Sequence, residues 1–455
     1  MDEKKLITAP LRTDRMPPGI PYIIGNEAAE RFSYYGLSAM LPIFMTQYLR
    51  DGTGALAVMT ESEANQRFHE FVFLGYFLPF IGAILADAIL GKYRTIFWLS
   101  LVYCGGHLAL AIDDSRGGLA LGLLLVALGM GGIKPCVSAN LGDQFGATNQ
   151  HLLSKAFGWF YFAVNAGSMI SIPLTPLLLH YVSPRVAFGV PGILMGVATI
   201  IFWWGRYKFV HIPAPGWAAF RRNFDREGLG IVGRIAIIYA FVIVFWALYM
   251  QSQSEWVLQA EKMDRNVNLL GWKFELLAGQ IQTLNSIFIL VLIVACNYVL
   301  YPLINRFWRL NELRKIGLGL VITCAAFLVT AWIEAQITAG HRPGVVWQVP
   351  AYLLLSTGEV MVSVTSLEFA YTQAPKRLKS MIMILYLWAI AFGNLLTAFV
   401  HKFIANADGT SKLPGATFYL FFAALCFGTA IAYALVARFY REKTYLQDEA
   451  PAAAT

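Results

Sequence analysis

Val210-His-Ile-Pro213-Ala-Pro215-Gly-Trp-Ala-Ala-Phe-Arg221-Arg222-Asn-Phe-Asp225-Arg226-Glu-Gly-Leu-Gly-Ile231 is the longest polar break in a chain of 455 residues. Pro213 and Pro215 interrupt any helix, and the charges that follow are costly in hydrocarbon. On either side the sequence is apolar in runs long enough to cross a ~30 Å bilayer core. Before the break these runs lie at about 20–49, 68–90, 93–112, 117–140, 155–180 and 186–209. After it they lie at about 232–255, 279–305, 314–339, 346–373, 379–404 and 415–439. The break therefore reads as a linker, 210–231, between two six-span halves, 20–209 and 232–441, with tails at 1–19 and 442–455. This is an all-α membrane protein with twelve transmembrane helices in two six-helix bundles. By analogy it is the layout of the major facilitator fold, with substrate near the midplane between the halves.

Composition agrees. Hydrophobic residues make up 57% and charged residues 14%, with a mean hydropathy of +0.57. A soluble domain would carry about a quarter charged residues. The net charge of +8 comes from short basic clusters between apolar runs, which read as topology signals facing anionic lipid and not as a nucleic-acid surface. With an even span count both termini share one side. The loops on that side hold most of the 35 Lys and Arg, so both termini are expected in the cytoplasm. The polar first 19 residues read as a cytoplasmic tail, with no cleavable signal. Cys104, Cys136, Cys296, Cys324 and Cys426 lie in apolar segments at spacings that form no metal motif, and no disulfide framework is expected.

Against this background, Glu27-Ala-Ala-Glu30-Arg31-Phe-Ser-Tyr34-Tyr35-Gly36 stands out. Positions 27, 30, 31 and 34 share one helix face. A buried ion pair that fixes helix packing would need one carboxylate. This cluster has two, and the extra one must find another cation or bind a proton. Lys134, in Gly131-Gly-Ile-Lys134-Pro135, is the obvious cation, unless it snorkels to an interface; Pro135 loosens its helix. His69 begins the second span, as an interfacial histidine or a proton site. His69-Glu70 starts like a zinc-protease motif, but Phe73 ends that reading. Asp87 sits at a span end before basic residues and reads as structural or gating. Glu359 lies deep in the tenth span. Glu255 and Glu368 lie nearer span ends, where a snorkelled or gate ion pair is an equal reading. Asn165, Asn285, Tyr76, Tyr161 and Trp246 are intraspan polar or aromatic groups that packing would also explain.

Taken together, these residues resemble the proton-dependent oligopeptide transporter (POT, or PTR) family over nearly the whole chain. Glu27-x-x-Glu30-Arg31-Phe-x-Tyr-Tyr35 is similar to its first-helix signature. Gly131-Gly-Ile-Lys-Pro-Cys-Val-Ser138 with Gly142-Asp143-Gln144-Phe145 resembles the fourth-helix signature, and Phe160-Tyr161-Phe-Ala-Val-Asn165-Ala-Gly167 the fifth. Phe245-Trp246, Leu284-Asn285 and Gly358-Glu359 fit the second half. The resemblance implies a proton-coupled symporter of di- and tripeptides; the compact loops point to a cell (inner) membrane, and a monomer with no cofactor is expected. It implies proton coupling by Glu27, Glu30, His69 and Lys134. Arg31 and Lys134 would hold the peptide carboxylate or exchange partners with Glu27 and Glu30. Glu359 would take the peptide ammonium, and Asn165 and Asn285 its backbone. Tyr34, Tyr35, Tyr76, Tyr161 and Trp246 would line the cavity. Two departures stand out: Ser38 occupies a position where many members carry arginine, and the linker has no room for the two extra helices of many bacterial members.

Physical chemistry supports the same reading. A dipeptide separates its two charges by up to ~7 Å, so cations in one half and Glu359 in the other would be bridged by it. The runner-up is a carrier of nitrate or another small organic anion, against which Glu359 argues. A membrane enzyme lacks a nucleophile–base pair, metal set or cofactor loop, and a channel lacks a selectivity ring.

Overall fold

In the computed structural model every long apolar run becomes a helix. The structure describes residues 6–440 except 215, 218–224, 270, 374–377 and 407–409. The expected tails at 1–19 and 442–455 and the linker at 210–231 thus fall partly or wholly outside the described residues. The spans are α1 (Ile20–Gln47), α2 (Glu61–Leu90), α3 (Lys92–Ile112), α4 (Arg116–Gly142), α5 (Gln150–Tyr181) and α6 (Pro184–Tyr207). After the linker come α7 (Arg226–Glu261), α8 (Ala278–Asn305), α9 (Glu312–Thr338), α10 (Val345–Ala370), α11 (Met381–Ile404) and α12 (Ala416–Phe439). Eleven of these are long and apolar enough to cross a membrane by length and composition alone. α1 is equally long, at 28 residues, but Glu27, Glu30 and Arg31 depress its hydropathy.

Packing shows a repeat that the sequence hides. In the first half α1 packs on α5 and α6, α3 on α4 and α6, and α2 on α4. In the second half α7 packs on α11 and α12, α9 on α10 and α12, and α8 on α10. Each pairing recurs six helices later. The halves meet through α2 against α11 and α5 against α8, which exchange under the same shift. This is the major facilitator fold, two six-helix bundles about a pseudo-twofold axis.

Small residues set the close approaches, as expected where helices cannot be driven together by the hydrophobic effect. A side chain at Gly82 on α2 would run into the carbonyl of Gly131 on α4, and one at Gly393 on α11 would come 2.7 Å from the Ile243 carbonyl on α7. Gly105 on α3 has nothing within 4 Å. Overpacking costs about 1–3 kcal/mol or more. Gly82→Val is therefore expected to lower the melting temperature by several degrees and reduce the yield of folded protein, while Gly105→Val leaves both unchanged. Equal melting temperatures for the two variants would show that the α2–α4 contact yields easily.

Two boundaries differ from the sequence reading. α2 starts at Glu61, capped by Thr60, whose hydroxyl accepts from the Glu63 amide. His69 is thus two turns inside the helix and fully buried, not at an interface. Between α7 and α8 the chain also forms a hairpin, β1 (Asn266–Leu269) paired antiparallel with β2 (Trp272–Glu275), where Gly271 turns at φ 92°.

Candidate functional site

The charge cluster on α1 is arranged around Arg31. Its Nε donates to Glu27 Oε1 at 2.8 Å and lies 2.8 Å from Glu30 Oε2. All three side chains are buried. One guanidinium therefore serves both carboxylates, and Lys134 pairs with neither. The Lys134 ammonium instead sits on two tyrosine faces, 3.7 Å from the ring centre of Tyr76 and 4.6 Å from that of Tyr34. Cation–π contact holds it there without satisfying its three donors. Among the described residues it makes no hydrogen bond, although it is buried. A buried ammonium in that condition is poised for an anion.

Tyr34 and Tyr76 form part of the wall of a cavity of about 270 Å³ between the two halves, midway along the helices. Tyr35, Tyr161, Asn165, Trp246, Asn285 and Glu359 also line it. Of the ten residues expected to bind substrate, eight converge on this one space from α1, α2, α5, α7, α8 and α10, whereas Arg31 and Lys134 are not in its wall, Lys134 lying behind Tyr34 and Tyr76. Tyr249, Gln253, Gln282 and Ser363 line it too and were not foreseen. Glu359 immediately precedes a π-helical turn, Val360–Val364, in α10. Such turns mark functional positions in many helices. The Glu359 carboxylate accepts from Asn285 Nδ2 at 2.9 Å, and the Asn285 carbonyl accepts from Tyr249 Oη at 3.1 Å. Trp246 packs edge-on against Tyr249, its indole N–H unpaired among the described residues. Asn165 turns its amide back to the Tyr161 carbonyl at 2.8 Å, so in this state it offers the cavity only part of its hydrogen-bonding capacity. Buried Ser38, at the position of the absent arginine, has a hydroxyl with no partner among the described residues.

The cavity is closed at the end away from the chain termini. There His69 on α2 bonds Asn394 on α11 at 2.7 Å and Glu255 on α7 at 3.1 Å. His401 on α11 reaches the same Glu255 oxygen at 2.6 Å, and its ring lies parallel to that of His69, 6.3 Å away. Ser254 also bonds the Glu255 carboxylate, and Ser62 on α2 meets both the His401 ring and its carbonyl. Farther out, Lys262 bonds Glu61 at 2.7 Å. Phe77 and Phe80 sandwich Trp388 toward the midplane. Glu255 is thus a buried bridge between the two halves and not a snorkelled end group, whereas Glu368 is exposed. His401 was missed by the sequence reading. The available signal was Asn394, Thr397 and His401 at i, i+3 and i+7 in an apolar span, one polar stripe.

Toward the terminal end, Asp87 lies half-buried in a π-helical turn, Leu85–Leu90. Its carbonyl accepts from the Gly216 amide at 3.0 Å. Lys92 bonds Asp143 at 2.6 Å and leaves Asp87 aside.

The family model described as the POT family matches residues 93–226 and 217–420. The chain belongs to the POT family. Among its relatives, "Peptide transporter family 1" of Drosophila melanogaster is 35% identical over 368 residues, covering 70% of this chain and 48% of the fly protein. "Solute carrier family 15 member 2" of Homo sapiens is 34% identical over 404 residues, covering 77% of this chain and 54% of the human protein. The chain spans about half the length of these curated relatives. Among solved structures, the POT family transporter PepTSo superposes with a TM-score of 0.84 at 35% identity, covering 94% of this chain and 99% of that one. An auto-inhibited POT family peptide transporter superposes with a TM-score of 0.83 at 33% identity, covering 95% and 99%.

Proposed function

We propose that this POT family chain is a transporter and not an enzyme: a proton-coupled symporter that imports di- and tripeptides by alternating access. The observation that carries the reading is one cavity with a carboxylate in its wall on one side and an unbonded ammonium behind its tyrosine wall on the other. Lys134, unbonded behind Tyr34 and Tyr76, belongs to the first half, and Glu359 to the second. A zwitterion fits both, and its binding draws the halves together. The names of the fly relative and of the auto-inhibited solved neighbour, both peptide transporters, point to the same substrate class. Glu27 and Glu30 compete for one guanidinium, so a proton on either leaves Arg31 to the other. That supplies a proton site close to the substrate cation.

In this reading Arg31 steadies the carboxylates and Lys134 takes the peptide carboxylate. Tyr34, Tyr35, Tyr76, Tyr161 and Trp246 enclose the backbone, and Asn165 and Asn285 bond it. The charge distribution in the loops supports cytoplasmic termini in a cell (inner) membrane. The closed end then faces outward, and the form described is the inward-facing one. His69 acts in the outer gate, and Asp87 in the inner one. A monomer carries the complete cavity. A nitrate-type carrier is disfavoured by Glu359, whose carboxylate repels anions.

Proteoliposomes with an imposed pH gradient test this. Dialanine is expected to be concentrated and nitrate not, with a protonophore abolishing the uptake. Undiminished concentrative uptake after the gradient collapses would remove proton coupling. Glu359→Gln retains size and the Asn285 bond but not the charge. A charge-assisted bond contributes ~1.5–3 kcal/mol, so affinity for free dipeptides should fall roughly ten- to a hundredfold. Peptides with an acetylated N-terminus should lose far less. Equal losses for both would reassign the ammonium site.

A further inference from the structure

A second cavity, unconnected with transport, lies on the outside of the second bundle between α9 and α12. It measures about 820 Å³ and is lined by Gly317, Val321, Phe427, Ala430 and Ala434. Small residues make it: a side chain at Gly317 would press on the Tyr433 ring at 3.3 Å. Its rim residues Val321, Phe427, Ile431 and Leu435 are exposed, so in a bilayer the groove opens to lipid. Along α9 it runs from Asn311 to Val321 and along α12 from Phe427 to Arg438, which at 1.5 Å per residue is about 15 Å. That is half of a ~30 Å hydrocarbon core, the depth of one leaflet.

The end of the groove nearest the termini carries Arg314 and Arg438. The approach to α9 is basic: Arg306, Arg309, Arg314 and Lys315 against one acid, Glu312. Arg314 donates to the Arg309 carbonyl at 2.6 Å and lies over Trp308, and among the described residues it meets no carboxylate. Phe307, Trp308 and Phe439 are exposed at the same level, where aromatic side chains mark the membrane interface. A hollow between α2 and α4 offers a contrast, since its arginines, Arg67 and Arg116, are taken by Glu70 and Glu63. Basic pockets between spanning helices recognise anionic headgroups.

We propose that this groove binds one anionic phospholipid. Its phosphate sits between Arg314 and Arg438, and one acyl chain lies along Gly317, Ala430 and Ala434. The proposal rests on the chain being membrane-embedded and not on what it transports.

Native mass spectrometry of the full chain tests it, with phosphatidylglycerol and phosphatidylcholine of the same acyl composition as probes. The wild type should retain one phosphatidylglycerol at about tenfold lower lipid concentration than phosphatidylcholine, the difference one charge-assisted contact brings. Arg314→Gln with Arg438→Gln should erase that preference. Ala434→Leu keeps both arginines but fills the groove, and should lose the retained lipid. Glycerol 3-phosphate should not displace it. Equal retention of the two lipids by the wild type, or an unchanged preference in both variants, would reduce the groove to ordinary annular contact. Displacement by glycerol 3-phosphate would make it a soluble-phosphate site and overturn the lipid assignment. Because no transport is measured, these outcomes leave the peptide reading untouched.

Discussion

Lys134→Ala is expected to abolish concentrative dipeptide uptake and to weaken dipeptide binding by about a hundredfold or more. Losing one charged partner from a buried charge pair costs ~2–5 kcal/mol, much of it from leaving the other charge alone in a low dielectric. Lys134 is the buried cation whose donors stand unbonded, whereas the Arg31 Nε is already engaged by Glu27 and Glu30. In the proposed reading the substrate carboxylate is assigned to Lys134. The same change leaves the cluster with two carboxylates and one cation, so a proton must remain bound through the cycle and coupling is lost. The fold should survive, because the side chain makes no hydrogen bond among the described residues and its ammonium only rests on the faces of two tyrosine rings. Calorimetric binding and gradient-driven uptake, measured with dialanine and with its C-terminal amide, decide the matter. The amide should bind wild type weakly and the variant no worse. If dialanine and the amide lose affinity in parallel, Lys134 serves packing and not the carboxylate.

The twelve spans were legible because lipid demands long apolar runs, and a charge inside such a run is conspicuous. The helices agree with the runs to within a few residues except at α2, where Glu61, Glu63 and Arg67 masked two helical turns outside the apolar stretch, and at α7, which runs six residues past the apolar stretch at each end. The cavity residues were legible for the same reason: polar and aromatic groups deep in a span have few other uses. Partner choice was not. Nothing in sequence says that Arg31 would take both carboxylates and leave Lys134 to the tyrosines, since that depends on angstrom-scale approach of α1 and α4. The His69–Glu255–His401 arrangement joins positions 186 and 146 residues apart and needs the α2–α11 contact to exist. The internal repeat is likewise carried by which helices pack together, with different side chains in each half, so inspection of the sequence does not reveal it.

Glu255→Ala is expected to release the closed end. The Glu255 carboxylate accepts from histidines on both sides, His69 of the first half and His401 of the second. His401 shares a bundle with Glu255 and keeps hold of it when the halves part, so the bond that must break on opening is the one to His69. Removing the carboxylate leaves His401 Nε2 without its partner and His69 Nε2 with Ser254 alone, and an unmet buried donor costs ~1–3 kcal/mol. Each 1.4 kcal/mol is a factor of ten in the open-to-closed ratio, so the population should move tenfold or more toward opening. The distance across that end reports it. Thr53 and Arg342 are exposed on opposite halves, and four of the five native cysteines are buried, so Thr53→Cys with Arg342→Cys on a Cys104→Ser background takes spin labels cleanly. Glu255→Ala should add a longer component to the distance distribution. Lys262→Ala, which removes the exposed bond to Glu61 and a longer contact of 3.8 Å with Glu334 inside the second half, should change it little, since exposed pairs contribute ~1 kcal/mol or less. His401→Ala should fall between, because His69 still has its acceptor while the carboxylate loses its anchor. An unchanged distribution in Glu255→Ala would mean that the aromatic contacts of Trp388 with Phe77 and Phe80 hold the halves together and the histidines are passengers.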